Sequence, residues 1–94
     1  MDLGYKTTAR VFKAFCDENR LQILGLLRDN ELCAFQLQEA LEIGQSTLSH
    51  HMKMLCESGI VIARREGKWT YYRIDVDGSR RAIELLQRLT GVNP

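Results

Sequence analysis

The stretch QSTLSHHMKMLCESG at residues 45–59 runs directly into IVIARREGKWTYYRI at residues 60–74, and the change of period between them decides the fold. In the first half Leu48, Met52 and Leu55 recur at i, i+4 and i+7, the narrow apolar stripe of a helix from about Gln45 to Ser58, with Gly59 as its C-terminal stop. In the second half, β-rich runs at Ile60–Glu66 and Trp69–Ile74 flank Gly67-Lys68, a strong hairpin signal. Removing the apolar stripe leaves Gln45, Ser46, Thr47, Ser49, His50, His51 and Lys53 on the helix, a set that donates and accepts hydrogen bonds and carries positive charge. The hairpin adds Arg64, Arg65, Lys68 and Arg73, opposed only by Glu66.

Upstream, Glu42-Ile43-Gly44 is a tight turn after a helix from Ala34 to Leu41, whose Leu37, Ala40 and Leu41 are expected to face inward. Two helices joined by a short glycine-containing turn form a helix-turn-helix, and the second helix of that unit is the one that enters the major groove of DNA. Glu31-Leu32-Cys33 is a short extended lead-in. Before it, a central helix starting near Asp17 carries Leu21, Ile23, Leu24, Leu26 and Leu27 and ends at Asp29-Asn30. A first helix from Thr7 or Thr8 to Cys16 repeats Val11, Phe12, Ala14 and Phe15 at helical spacing. Beyond the hairpin, a last amphipathic helix at Ser79–Leu89 carries Ala82, Ile83, Leu85, Leu86 and Leu89 and stops near Gly91. The fold class expected is mostly α with a β-hairpin wing, a winged helix-turn-helix in the order ααααββα, forming a single domain over residues 1–94.

A net charge of +1 over 94 residues does not advertise a nucleic-acid partner, so a DNA reading rests on the local charge of the helix and hairpin. Each feature also has a plain structural explanation. The polar helix face is also what a solvated helix shows, basic residues on a hairpin also guard a strand edge against aggregation, and Trp69, Tyr71 and Tyr72 are expected to pack on the core rather than stack on bases. No nucleophile with a base, paired carboxylates or phosphate loop stands out, and Ser49-His50-His51 does not make a dyad because neighbours on a helix are splayed, so an enzyme is not expected. The three cysteines form no Cys-x-x-Cys, and no apolar run approaches the ~18 residues of a membrane span, which together point to a reduced cytoplasm.

The strings FKAFCDENRLQIL (12–24), ELC (31–33), QSTLSHHMKML (45–55) and REGKWTYY (65–72), in this order of elements, resemble the ArsR/SmtB family of metal- and stress-responsive repressors from end to end. The resemblance implies a homodimer paired through its first and last helices, which sits on an operator inverted repeat in double-stranded DNA and leaves when an inducer binds. It gives Gln45, Ser46, Thr47, Ser49 and His50 the base- and phosphate-contacting positions, with His51 positioning the helix or touching a phosphate, beside Lys53 and the wing residues Arg64, Arg65 and Lys68.

The inducer is less clearly written. The arsenic-responsive branch carries Cys-x-Cys at the start of its third helix, whereas this chain has Cys33 followed by Phe35 at the second position. A soft ion such as arsenite needs two or three thiolates, so Cys33 requires help, with Cys56 or Cys16 as the candidates. The acidic and histidine ligands that other members place on the last helix are absent, since Glu84 stands there among Arg80, Arg81 and Arg88. Adjacent His50 and His51 point ~100° apart and do not chelate one ion readily. The alternatives left open are an arsenite or soft-metal inducer with an altered site, repression without inducer, and thiol redox sensing. A winged helix serving only protein interaction is the rival from another class.

Overall fold

The computed structural model describes residues 4–93. Its elements are α1 (Tyr5–Lys13), α2 (Glu18–Leu27), β1 (Leu32–Cys33), α3 (Ala34–Leu41), α4 (Gln45–Glu57), β2 (Val61–Glu66), β3 (Trp69–Ile74) and α5 (Val76–Thr90).

Local chemistry sets most of the boundaries. Asp17 caps α2 by accepting from the backbone amides of Asn19 (2.8 Å) and Arg20 (3.2 Å), which satisfies two donors that the helix cannot pair itself. At the start of α3 the Gln36 side chain turns back to accept the Cys33 amide at 2.8 Å. The turn between α3 and α4 begins with Glu42 in the left-handed region (φ 54°), the one non-glycine residue among those described with positive φ. Gly67 (φ 61°) provides the positive φ that the tight β2–β3 turn requires.

The helix-turn-helix and the wing share one core. Ile23 of α2, Leu37 of α3 and Leu55 of α4 are the large side chains fully shut off from water, and Val11, Ala14, Leu27, Leu48, Met52, Ile60, Val61, Ala82 and Leu85 complete the cluster. In the sheet, β3 lies between β1 and β2 and is antiparallel to both, with Leu32 opposite Tyr72, Cys33 opposite Tyr71, and Val61 opposite Ile74 through to Glu66 opposite Trp69.

Several sequence expectations are revised here. Leu32-Cys33 is a strand of the sheet and not merely a lead-in, because its extended backbone finds the free edge of β3. α1 begins at Tyr5 and ends at Lys13, earlier than expected at both ends. α5 begins at Val76, since the Asp75 carboxylate accepts from the Gly78 amide at 3.3 Å and caps a helix whose first turn reads as loop in sequence. Of the residues assigned to the interior, Phe15, Leu21, Leu26, Ala40, Ile83, Leu86 and Leu89 are exposed.

Gly78 has the least room for a side chain among the described glycines. A Cβ built there would lie 1.7 Å from the Gly59 carbonyl oxygen, whereas one built at Gly25, in the middle of α2, meets nothing within 4 Å. Gly78→Ala is therefore expected to destabilise by at least the ~1–3 kcal/mol of an overpacked core. Gly25→Ala, relieving a helix-interior glycine, is expected to stabilise by ~0.5–1 kcal/mol. Urea melts of the two variants check both signs.

Candidate nucleic-acid interface

α4 has two clearly different sides. Leu48, His51, Met52 and Leu55 are buried, while Gln45, Ser46, Thr47, Ser49, His50 and Lys53 are exposed. With ~100° between successive residues, Ser46, Ser49, His50 and Lys53 fall opposite the apolar stripe, Gln45 flanks them toward the hairpin, and Thr47 lies on the flank that carries His51. The first turn of α4 leaves backbone amides that favour a phosphate.

The hairpin stands beside this face. A cleft of 550 Å³ separates the two and is lined by Phe35 and Gln38 of α3, Gln45 and Ser49 of α4, and Arg65, Lys68 and Trp69 of the wing, among others. Trp69 is 46% exposed and Phe35 54% exposed. The expectation that all three wing aromatics pack inward fails for Trp69, whose ring lies 5.6 Å from the Lys68 ammonium. Tyr72 is half-buried against the core, and burial pushes its phenol pKa up, with the nearby Cys56 adding to the effect.

The four basic residues of the hairpin do not form one patch. Neighbours on a strand point to opposite faces, so Arg64 and Arg65 are split. Arg64 donates to Glu31 through Nη2 (2.7 Å) and Nε (3.4 Å) and to Glu66 through Nη1, and its guanidinium stacks 4.7 Å from the centre of the Tyr71 ring. These hydrogen bonds hold Arg64 firmly protonated, and the bond from Arg64 keeps Glu31 below its usual pKa, with Arg73 contributing. The charge of Arg64 is thus spent within the protein. Arg65, which donates only weakly to the Gly67 carbonyl (3.3 Å), and Lys68 at the tip remain exposed on the cleft.

His51 does not share the surface of its neighbours. It is 6% exposed; its Nδ1 lies 3.1 Å from Arg20 Nη1, and its Nε2 lies 3.8 Å from Asp17 Oδ1. Because a guanidinium only donates, Nδ1 must accept, and the proton of the neutral ring sits on Nε2, toward Asp17. Burial pushes the His51 pKa below the usual histidine range; Arg20 and His50 push the same way, and Asp17 opposes them. Burial also raises Asp17, but the amides of Arg20 and Asn19 and the charges of His51 and Arg20 outweigh it, so the carboxyl stays below its ordinary value. Arg20 itself is 6% exposed and was not singled out in the sequence. The available signal was its spacing to Ile23 and Leu27, which puts it on the inward stripe of α2.

The thiols stand apart. Cys33 is buried and pairs with Tyr71, which points to the sheet face opposite Tyr72, the neighbour of Cys56. Burial pushes the Cys56 thiol up, and Cys16 is exposed at the end of α1, its Sγ 3.5 Å from the Phe12 carbonyl. Among the described residues no three His, Cys, Asp or Glu side chains come together in a way that would hold a metal ion. On the far side of the molecule an open apolar groove of 540 Å³ runs between α1, α2 and α5, lined by Phe12, Phe15, Leu24, Ala82, Ile83 and Leu86 among others.

Comparison with known proteins agrees with this architecture. Residues 17–63 match the model of the bacterial regulatory protein, arsR family. The arsenical resistance operon repressor of Staphylococcus aureus is 40% identical over 73 residues, covering 78% of this chain and 70% of the repressor. The transcriptional activator HlyU of Vibrio cholerae is 42% identical over 79 residues, covering 84% and 73%. Among solved structures, the homodimeric winged helix-turn-helix DNA-binding domain of Mycobacterium bovis superposes with a TM-score of 0.73 at 36% identity, covering 93% of this chain and 81% of that one. With its helix-turn-helix, its wing and these matches, the chain belongs to the arsR family of DNA-binding transcriptional regulators, which are not enzymes.

Proposed function

We propose that this protein is a homodimeric repressor that works as one winged-helix unit over residues 1–94 in the cytoplasm, occupying an operator inverted repeat until an inducer releases it. The observation that carries the reading is the placement of Ser46, Ser49, His50 and Lys53 on one exposed face of α4, flanked by exposed Gln45 and Thr47, beside Arg65 and Lys68 of the wing. Short polar side chains on α4 read base edges, and the wing cations hold phosphates. Pairing through α1 and α5 is supported by the apolar groove there, where Phe15, Ile83 and Leu86 are exposed and Ile83 reaches 57%. Burying such a face in a second copy removes apolar surface from water at ~25 cal/mol per Å² and brings two reading helices onto one duplex. Among the described residues no helix is long and apolar enough to cross a membrane.

Release by arsenite or a soft metal would rest on Cys33, with Cys56 as a second thiol. Cys33, in β1, shares its sheet face with Tyr71, while Cys56, on α4, neighbours Tyr72 of the other face, so one thiolate per protomer is what β1 offers. That falls short of the two or three a soft ion requires, and it favours an inducer other than a chelated soft ion.

The first test is fluorescence anisotropy of a labelled fragment from the promoter upstream of the protein's own gene, against a random duplex of equal length, at two salt concentrations. Specific, steeply salt-dependent binding is expected; equal affinity for the two duplexes would favour the protein-interaction reading. Each phosphate contact contributes ~0.9 to the salt slope and a dimer loses two contacts per substitution, so Arg65→Ala and Lys68→Ala should each flatten the slope by ~1.8. Arg64→Ala should leave the slope unchanged, and a flattening equal to that of Arg65→Ala would show that Arg64 leaves Glu31 to meet DNA. In the same assay arsenite, cadmium, zinc and hydrogen peroxide are added to the complex. Arsenite is expected to leave most of it intact, and full release by arsenite that Cys33→Ser abolishes would overturn the thiol argument.

A further inference from the structure

We propose that Arg20 is the residue that positions the DNA-reading helix, and that it does so only while the His51 imidazole is neutral, so that operator recognition fails on acidification although neither group touches DNA. The inference rests on the reading of α4 as the helix that enters the groove.

Arg20 joins three elements. Its Nε donates to the Ala14 carbonyl (3.3 Å), its Nη2 to the Lys13 carbonyl (3.1 Å) and its Nη1 to His51 Nδ1 (3.1 Å). The two carbonyls belong to the end of α1, where the helix runs out of amides of its own; that of Lys13 also accepts the Cys16 amide (3.1 Å), and a cation there meets the negative end of the helix dipole. His51 is the only residue of α4 that Arg20 reaches among the hydrogen bonds the structure shows. Together with the buried Leu48, Met52 and Leu55, that bond ties the rotation of α4 about its axis to α1 and α2, and hence where the neighbouring Ser49, His50 and Lys53 project.

The hydrogen bond has a chemical condition. A guanidinium stays charged at every physiological pH and has no acceptor, so it bonds His51 only through a lone pair on Nδ1. Adding a proton removes the lone pair and sets two cations side by side in a buried place. The charged and titratable groups acting on the ring are Asp17 and Arg20 from α2 and its cap, and His50 from α4; α1 presents backbone carbonyls to Arg20 and keeps the Lys13 side chain in solvent. Asp17 favours the charged ring, but its carboxylate is 3.8 Å away and occupied with two backbone amides, and burial, Arg20 and His50 prevail. The sign follows. With its folded pKa depressed, His51 stays neutral through the ordinary histidine value of ~6.5, and the bond is lost only as pH falls through the lower folded value.

The test measures the ratio of promoter to random-duplex affinity at pH 7.5 and 5.5, with a thermal melt at each pH to show that the protein is folded. Taking the ratio removes the general gain in charge that protonated His50 brings to both duplexes. For the wild type the ratio is expected to fall from pH 7.5 to pH 5.5, and to go on falling at lower pH for as long as the melt shows a folded protein. His51→Asn, whose Oδ1 stands where Nδ1 stood and does not titrate, should keep a high ratio at both values. Arg20→Lys, a point charge that cannot span three acceptors, should lower the ratio at both values while retaining a cooperative melt. If Arg20→Lys does not fold, the His51→Asn profile decides alone. A folded wild type whose ratio is flat, or a His51→Asn profile that falls like the wild type, overturns the inference and leaves the reading of α4 standing. A wild type with no preference for the promoter at pH 7.5 sinks the reading of α4, and the inference with it.

Discussion

A buried guanidinium can exist only where its inward N–H groups find acceptors, because an uncompensated charge away from water costs several kcal/mol. Arg20 meets that constraint with two main-chain carbonyls from one helix and a ring nitrogen from another. Much of the architecture around it is a consequence. α1 has to end where its last carbonyls point at α2, Asp17 has to cap α2 where it can also face the ring, and α4 has to turn His51 away from solvent. Among the described residues no buried side-chain nitrogen or oxygen is left without a partner, so the polar interior is closed.

The helix-turn-helix was legible because its code is local. The stripe Leu48, Met52 and Leu55, the β-rich runs around Gly67-Lys68 and the glycine stops are each read within a few residues, and they correspond to the elements found. β1 was not legible as a strand, since two residues carry no period and only the edge of β3, some forty positions away, defines them. The start of α5 was hidden by Gly78, which reads as a turn residue until Asp75 is seen to cap over it. Nor could the sequence separate core from interface: Phe15, Ile83, Leu86 and Leu89 have the periodicity of interior residues, yet in one copy they face out. An apolar stripe says only that it wants to be covered, not by which chain.

The same limit applies to the site. Composition put Arg64, Arg65, Lys68 and Arg73 into one basic hairpin, but alternation along β2 sends Arg64 to a face where Glu31 and Glu66 hold it and Arg65 to the face that opens, with Lys68, on the cleft. That division follows from the two-residue period of a strand, so it was available in principle. The pairing of Arg20 with His51, 31 residues apart, was not, since it depends on how α1, α2 and α4 close around each other. The ~100° between His50 and His51, legible in the sequence, sends one to solvent and the other to the interior.

The close approach of Gly78 to the carbonyl of Gly59 bears on how α5 is seated in so small a body. Elsewhere helices meet through side chains, a layer that yields by changing rotamers. Here the first turn of α5 and Gly59, in the turn that follows α4, meet main chain to main chain, with no side chain between them. The start of α5 is therefore seated directly against the turn that leaves the reading helix, and no side chain longer than hydrogen fits at that seat.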